Sequence, residues 1–252
     1  MIAERIFSAA DNRDPDSIAS RFRAKRFRRF AEMLRGAREP VRILDIGGTP
    51  AFWLRHRVGL PARSEITLLN RAFEDRPHLE DMRYVVGDAR KLDMFGDLEF
   101  DMCFSNSVIE HVGDADDQMR MASEIRRVAR GYFVQTPNKY FPMEPHFLVP
   151  GWQFAPLSLR AWLLQRRDWG WMKRVKDREL AWKTVRSIRL LSARDLHVLF
   201  RDATIYREKI GPLTKSVTAW RVIAYDQTDR ATAASIAPVN PSRFSSNDAS
   251  AG

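Results

Sequence analysis

The chain has 252 residues, enough for one α/β domain with a sizeable core and extensions at its ends. Hydrophobic residues make up 44% of the chain and aromatic residues 11%, which excludes a wholly disordered protein. The net charge of +10 favours anionic partners such as nucleic acid, phosphate-bearing substrates or an acidic membrane surface, unless it only reflects an Arg-rich proteome.

Cysteine content and hydropathy indicate the compartment. Cys103 is the single cysteine of the chain, so an intramolecular disulfide is excluded and a reducing compartment is expected. The first residues mix charges with apolar side chains, and no apolar run is long enough to span a bilayer. We therefore expect a cytoplasmic protein that could touch the inner membrane face only peripherally.

The first predicted element is a basic amphipathic helix at residues 18–35, within an N-terminal extension at residues 1–40. Apolar residues recur along it at helical spacing, from Phe27 to Leu34, which favours packing against the core. The alternative is contact with an anionic surface, because the helix carries many cations. These are Arg21, Arg23, Lys25, Arg26, Arg28 and Arg29.

Short apolar runs and helical segments then alternate along the chain. The predicted strands lie at residues 41–46, 66–69, 82–86, 100–104 and 132–135. Asp114 is predicted to cap a helix that Gly131 ends. A helix at residues 192–200 precedes two strands, 203–209 and 217–225, which Gly211-Pro212 separates. The pattern predicts an α/β fold with a doubly wound, mostly parallel seven-stranded sheet and a C-terminal antiparallel β-hairpin.

The catalytic domain is predicted at residues 41–226, with a helical insert at 138–190 and a disordered tail at 227–252. Aromatic and basic residues alternate in the insert, for example around Trp162, Arg166 and Trp171. Three interpretations remain open: a lid whose aromatics wall the active site, a segment on an anionic membrane, or a helical cap packed on the domain.

Polar residues follow four predicted strands, at the edge where open α/β sheets bind ligands. These are Asp45 with Gly47 and Gly48, Asn70 with Glu74 and Asp75, Asp88 with Ala89, and Ser105 with Asn106. Glycines let the backbone approach a ligand closely. Asp45 could bind a cationic amino group, and Asp88 could accept a hydrogen bond from an exocyclic amine.

Four segments, 41–48, 86–89, 100–112 and 131–137, together with the closing hairpin, resemble the successive motifs of class I, Rossmann-like S-adenosylmethionine-dependent methyltransferases of type 11. The resemblance covers about residues 41–137 and 192–225. It implies S-adenosylmethionine as cofactor and gives a role to each matching position. The methionine part would be held by Asp45, Gly47 and Gly48, the adenine by Asp88 and Ala89, and the floor near the sulfonium would be formed by Ser105 and Asn106.

Two positions depart from the family pattern. The two glycines are adjacent and followed by Thr49, and Asn70 replaces the acidic residue that normally binds both ribose hydroxyls. Either the cofactor affinity is lower, or Glu74 or Asp75 takes over this role. No Gly-x-Gly-x-x-Gly turn is present, which argues against a nicotinamide cofactor.

Methylation of a hydroxyl requires a base, and three residues are candidates. His111 comes one turn after the predicted cofactor floor, and Glu144 and His146 lie in a proline-bounded segment. His111 could instead only pack on the cofactor, and the other two could belong to a rigid loop. Some ubiquinone-pathway and small-RNA O-methyltransferases have Glu-x-x-Glu-His here as metal ligands. Ser107 replaces the first Glu, so no metal is expected.

The sequence therefore predicts a methyltransferase that acts on a hydroxyl of a small-molecule, glycan or lipid-linked acceptor. Contact with an anionic membrane through the insert belongs to the same hypothesis. An RNA methyltransferase is the first alternative, motivated by the positive charge. A non-catalytic, membrane-associated protein with a methyltransferase-like fold is the second, motivated by Thr49 and Asn70.

Overall fold

A seven-stranded sheet forms the centre of the computed structural model, which describes residues 14, 16–74 and 76–223. The strands of the described chain are β1 (Val41–Ile46), β2 (Ser64–Asn70), β3 (Met82–Val86), β4 (Phe100–Asn106), β5 (Ala129–Pro137), β6 (Met143–Glu144), β7 (Val149–Pro150), β8 (Thr204–Ile210) and β9 (Leu213–Arg221). The sheet order is β3-β2-β1-β4-β5-β9-β8, while β6 and β7 form a separate pair.

Strands β1 to β5 pair in parallel, whereas β9 pairs antiparallel with both β5 and β8. This topology confirms the predicted doubly wound, mostly parallel sheet with a closing hairpin. The predicted strand positions agree with the structure to within a few residues. The last strand ends at Arg221, and the predicted tail at 227–252 lies outside the described residues.

The helices of the described chain are α1 (Ile18–Met33), α2 (Pro50–His56), α3 (Ala115–Val128), α4 (Leu157–Leu164), α5 (Arg178–Arg186) and α6 (Ala193–Leu199). Asp114 caps α3 in a reciprocal capping box with Asp117, as sequence analysis predicts for the cap. Among the described residues, no helix reaches the length and hydrophobicity that crossing a bilayer requires.

Gly131 does not end helix α3, so that prediction is wrong. The helix stops at Val128 and the chain continues directly into β5, in which Gly131 is the third residue. A Cβ at Gly131 would lie 2.8 Å from both the Arg221 carbonyl oxygen and the Met102 sulfur. This glycine therefore permits close packing between strands rather than a helix stop.

Helix α1 packs against the sheet through aromatic side chains. Phe27 and Phe30 are buried, and the ring of Phe30 lies 4.7 Å from that of Phe104 in β4. Arg26 is also buried, although sequence analysis groups it with the cations that make this helix basic. Its guanidinium donates to Glu208 of β8 at 2.8 Å. The packing interpretation of the helix thus agrees with the structure.

The insert leaves and rejoins the domain at one place, where Asn138 and Leu191 form a parallel bridge. Between these residues it has a small hydrophobic core of its own, separate from the two clusters that cover the faces of the sheet. The buried members of this core are Phe147, Trp152, Ala161, Leu164, Ala181 and Val185. The insert therefore folds around a hydrophobic core of its own.

Candidate active site

The turn after β1 is formed by residues that contact each other closely. Gly47 has a φ of 82°, a conformation that favours glycine. The Asp45 carboxylate is buried and accepts a hydrogen bond from Trp53 Nε1 at 2.5 Å. It also occupies the space that a Cβ of Gly48 would need. Burial raises the pKa of Asp45 to about 7, against the hydrogen bond from Trp53.

Asn70 and Asp88 end the next two strands, and both already have protein partners. Asn70 donates from Nδ2 to the Gly48 carbonyl at 2.7 Å, so it braces the turn after β1. The Asp88 carboxylate accepts from Arg90 at 2.6 Å and from Arg71 at 3.1 Å. The hydrogen bonds from Arg90 lower the pKa of Asp88 to about 2. An adenine amino group at Asp88 would therefore compete with two guanidinium groups.

The remaining predicted cofactor residues lie close to these two strand ends. Ala89 is buried directly after Asp88. Of the two acidic residues considered as substitutes at the ribose, Glu74 is exposed, and Asp75 lies outside the described residues. The structure thus places Asn70, rather than an acidic side chain, next to the turn after β1.

Ser105 and Asn106 end β4 beside the turn after β1, since Ile46 and Ser105 are partners in the sheet register. Asn106 accepts a hydrogen bond from Arg26 Nε at 3.1 Å. The Ser105 hydroxyl is fully buried and has no hydrogen-bond partner among the described residues. An unsatisfied buried hydroxyl is uncommon in folded proteins, and this one lies directly beside the turn after β1.

The three predicted base candidates meet in space. Glu144 is buried and accepts from His146 Nδ1 at 2.7 Å and from the His146 backbone amide at 2.8 Å. The Nε2 atoms of His146 and His111 are 3.0 Å apart. A hydrogen bond from Nδ1 to Glu144 leaves the His146 Nε2 as the atom that can accept a proton.

The two histidines differ in basicity. Burial opposes protonation of His146, but the hydrogen bond and charge of Glu144 outweigh it, so its pKa is raised. Loss of hydration, together with the adjacent His146, lowers the pKa of His111 to about 4, although part of His111 stays exposed. His146 is therefore the stronger base of the pair.

Glu110 is a third possible metal ligand beside the two histidines. It is fully buried, and burial raises its pKa to about 7. Thr136 donates to its Oε2 at 3.0 Å, while Oε1 has no partner among the described residues. One donor atom from each of Glu110, His111 and His146 lies within 4.8 Å of the others. The expectation of no metal assumed two ligands, and the fold brings a third into reach.

A cavity of about 410 Å³ opens beside His146, at the carboxyl ends of β4 and β5. Its walls are mostly apolar, with side chains such as Phe141, Met143 and Trp171. The polar groups that face it include His146, Asn138 and Lys215. Its size and composition are typical of a pocket for a small organic group.

Sequence analysis did not predict Lys215 or Trp53 as site residues. Lys215 lies in β9, far along the chain from the motifs, and lines the cavity that His146 faces. Burial and the charge of Arg26 lower its pKa to about 8. Trp53 has the spacing of an ordinary core residue of a helix, so no pattern along the chain indicates its contact with Asp45.

Comparison with known proteins indicates a methyltransferase domain. The sequence model of a family described as "Methyltransferase domain" matches residues 60–134. Two uncharacterized proteins, from the CDC 1551 and H37Rv strains of Mycobacterium tuberculosis, are each 29% identical over 121 residues. The match covers 47% of this chain but only 41% of each of those proteins.

Solved structures share the fold at low identity. The CurJ carbon methyltransferase superposes with a TM-score of 0.53 at 13% identity, covering 83% of this chain and 56% of that one. A SAM-dependent methyltransferase from Aquifex aeolicus gives a TM-score of 0.45 at 13% identity, with coverage of 79% and 89%. The first of these similarities supports a methyltransferase-like fold.

Proposed function

Because residues 60–134 match a methyltransferase-domain family and the fold is methyltransferase-like, we propose that this chain is a class I S-adenosylmethionine-dependent methyltransferase that methylates a hydroxyl oxygen of a small-molecule, glycan or lipid-linked acceptor. The observation that carries this proposal is the pairing of His146 with Glu144 at 2.7 Å on the wall of a mostly apolar cavity. A base that a carboxylate orients, facing a cavity, suits the removal of a hydroxyl proton.

The residues divide into two groups. The cofactor would be held by residues at or near the ends of β1 to β4, namely Asp45, Asn70, Asp88 and Ser105. S-adenosylmethionine, when bound, supplies a methyl group activated on a sulfonium.

His146 handles the proton in this proposal. An acceptor hydroxyl can take the place of His111 next to the His146 Nε2 atom. It can then transfer its proton to that atom. Glu144 then stabilises the imidazolium, since its carboxylate remains hydrogen-bonded to Nδ1 at 2.7 Å.

The substitution His146→Asn tests this role. Asn can still donate to Glu144 but lacks the Nε2 atom, so we expect kcat to fall by roughly 10²–10⁴-fold. S-adenosylhomocysteine affinity, measured by calorimetry, should stay unchanged. His197→Asn, at an exposed position of α6, is the matched control. A loss of kcat smaller than about tenfold, with a folded variant, would exclude His146 as the base.

A divalent cation bound by Glu110, His111 and His146 is the alternative use of the same residues. Three protein ligands with an open position suit a catalytic metal site, and the unpartnered Oε1 of Glu110 favours it. Exhaustive chelation separates the two possibilities. We expect activity to survive it, and a loss of activity that added metal restores would favour the cation.

The other two predicted functions have separate tests. If the acceptor is RNA, its binding should weaken steeply as the salt concentration rises. An affinity that does not change with salt concentration would exclude an RNA acceptor. The cavity of about 410 Å³ favours a small group over a nucleic acid helix. A non-catalytic protein that has lost the cofactor site would fail to bind S-adenosylhomocysteine, and calorimetry on wild type and Asp88→Ala tests for that loss.

A further inference from the structure

A second cavity, of about 600 Å³, lies between helices α1 and α2, on a different face of α1 from the cavity beside His146. Four arginines and one histidine line it, and we call it the arginine cleft. They are Arg21, Arg23, Arg28, Arg55 and His56. The other residues that line it are Ser20, Ala24, Thr49, Ala51 and Phe52.

The cleft concentrates positive charge. None of the described residues that line it is acidic. Asp45 is the acidic residue with a Coulombic effect on Arg23, and it is buried in its hydrogen bond to Trp53. Four guanidinium groups around one cavity repel one another, and a bound anion would relieve this repulsion.

Arg23 lies deepest in this group. Its Nε is buried and has no hydrogen-bond partner in the part of the chain that the structure describes. The guanidinium carbon lies 5.9 Å from the centre of the Phe52 ring. Burial and the charges of Arg26 and Arg55 lower the pKa of Arg23. Burial and the charges of Arg55 and Arg23 likewise lower the pKa of His56. A buried guanidinium N–H without an acceptor is costly, so an anion that contacts the rest of this guanidinium would offset part of that cost.

We propose that the arginine cleft binds the phosphate or diphosphate group of a ligand other than the methyl donor. The amino-acid part of S-adenosylmethionine carries one carboxylate and one ammonium, so it cannot balance four arginines. A diphosphate can, because it carries several negative charges and many acceptor oxygens that guanidinium groups bind in pairs.

This inference deepens the proposed function in one respect. If the chain is a methyltransferase, the ligand of the cleft is a phosphate-bearing acceptor, and that identity rests on the proposed function. The binding of the anion itself does not, since the cleft contains neither His146 nor the residues at the ends of β2 and β3.

Titration calorimetry of the full chain with inorganic pyrophosphate at low ionic strength tests the proposal. We expect saturable binding that persists in saturating S-adenosylhomocysteine. The double variant Arg23→Gln/Arg55→Gln should bind at least about tenfold more weakly. Arg201→Gln, which removes an exposed arginine outside the cleft, should bind like the wild type. Thermal unfolding of each variant shows whether it is folded.

Three outcomes would overturn the proposal: absence of saturable binding by the wild type, equal binding by the folded double variant, or complete displacement of pyrophosphate by S-adenosylhomocysteine. The last outcome would make the cleft part of the cofactor site. His146→Asn should bind pyrophosphate normally, so failure of methyl transfer and failure of anion binding are distinguishable.

Discussion

Asp45 shows at the scale of one residue how the turn after β1 is built. Its carboxylate is 1% exposed, contacts Gly48 closely and has one side-chain donor, Trp53 Nε1. Removing a carboxylate from water disfavours its charged form, and a single neutral donor compensates only part of that cost. The Asp45 carboxyl group therefore keeps its proton up to a pH of about 7 in the folded protein.

This burial predicts a pH dependence of stability. The folded pKa of Asp45 is about 7 and its ordinary value is 3.8, so the folded state binds more protons between these values. The contribution of Asp45 to the unfolding free energy should thus fall as pH rises from about 4 to 7.

Asp45→Asn removes the titration while keeping an acceptor for Trp53. We expect its stability relative to the wild type to rise over this pH range, by on the order of 1–4 kcal/mol. Urea unfolding of both proteins at pH 4, 5.5 and 7 measures the difference. A difference that does not change with pH would contradict the assignment.

The residues of the site were predictable as a set, but their contacts were not. His111, Glu144 and His146 stand out because of their chemistry and of the motifs around them. The 3.0 Å contact between the two histidines depends on where the insert folds back, which no local pattern encodes. Pairing of Asp88 with Arg90 likewise depends on side-chain geometry.

At the scale of elements, α1 is joined to the closing hairpin by a buried ion pair. Arg26 donates to Glu208 at 2.8 Å, and Ser216 donates to the same carboxylate at 2.8 Å. Removal of one member of a buried pair leaves an uncompensated charge, which is more costly than loss of the whole pair.

We therefore expect Arg26→Ala to lower the unfolding free energy by about 3–5 kcal/mol. The double variant Arg26→Met/Glu208→Gln should lose less, because no buried charge remains and Ser216 keeps its acceptor. Chemical denaturation of the two variants and the wild type provides the comparison. Greater destabilisation of the double variant would show that the charges themselves stabilise α1 on the sheet.

Elements differ in how well the sequence predicts them. Strands β1, β3 and β4 are short segments rich in apolar residues, and the capping box of α3 lies within four consecutive residues, so both were recognisable. Gly131 was misassigned because a glycine after a helical pattern usually indicates a helix stop. The close approach of Met102 and Arg221, which explains this glycine, is a contact between distant parts of the chain.

At the scale of the whole molecule, the hydrophobic residues form two clusters on the sheet and a third inside the insert. Leu164 is fully buried in the third cluster, and Leu196 is fully buried in a cluster on the sheet. Because the core of the insert is small and separate, the insert can unfold locally at a lower free-energy cost than the sheet.

Hydrogen exchange can test this division. Leu164→Ala should speed exchange of the α4 and α5 amides, because loss of a buried leucine costs about 2–5 kcal/mol, while β1 and β4 stay protected. Leu196→Ala is the matched change in α6, in a cluster that includes residues of the sheet. It should speed exchange of the sheet amides as well. Equal acceleration of sheet amides by Leu164→Ala would show that the insert and the sheet unfold together.

The bridge between Asn138 and Leu191 has a consequence for how such proteins can diversify. A segment whose two ends lie side by side can be exchanged as a cassette without changing the register of the strands around it. Glu144 and His146 are encoded within that cassette, whereas the residues at the ends of β1 to β4 are not. Exchange of this segment would therefore replace Glu144, His146 and the part of the cavity wall that the insert supplies, and would leave the ends of β1 to β4 unchanged.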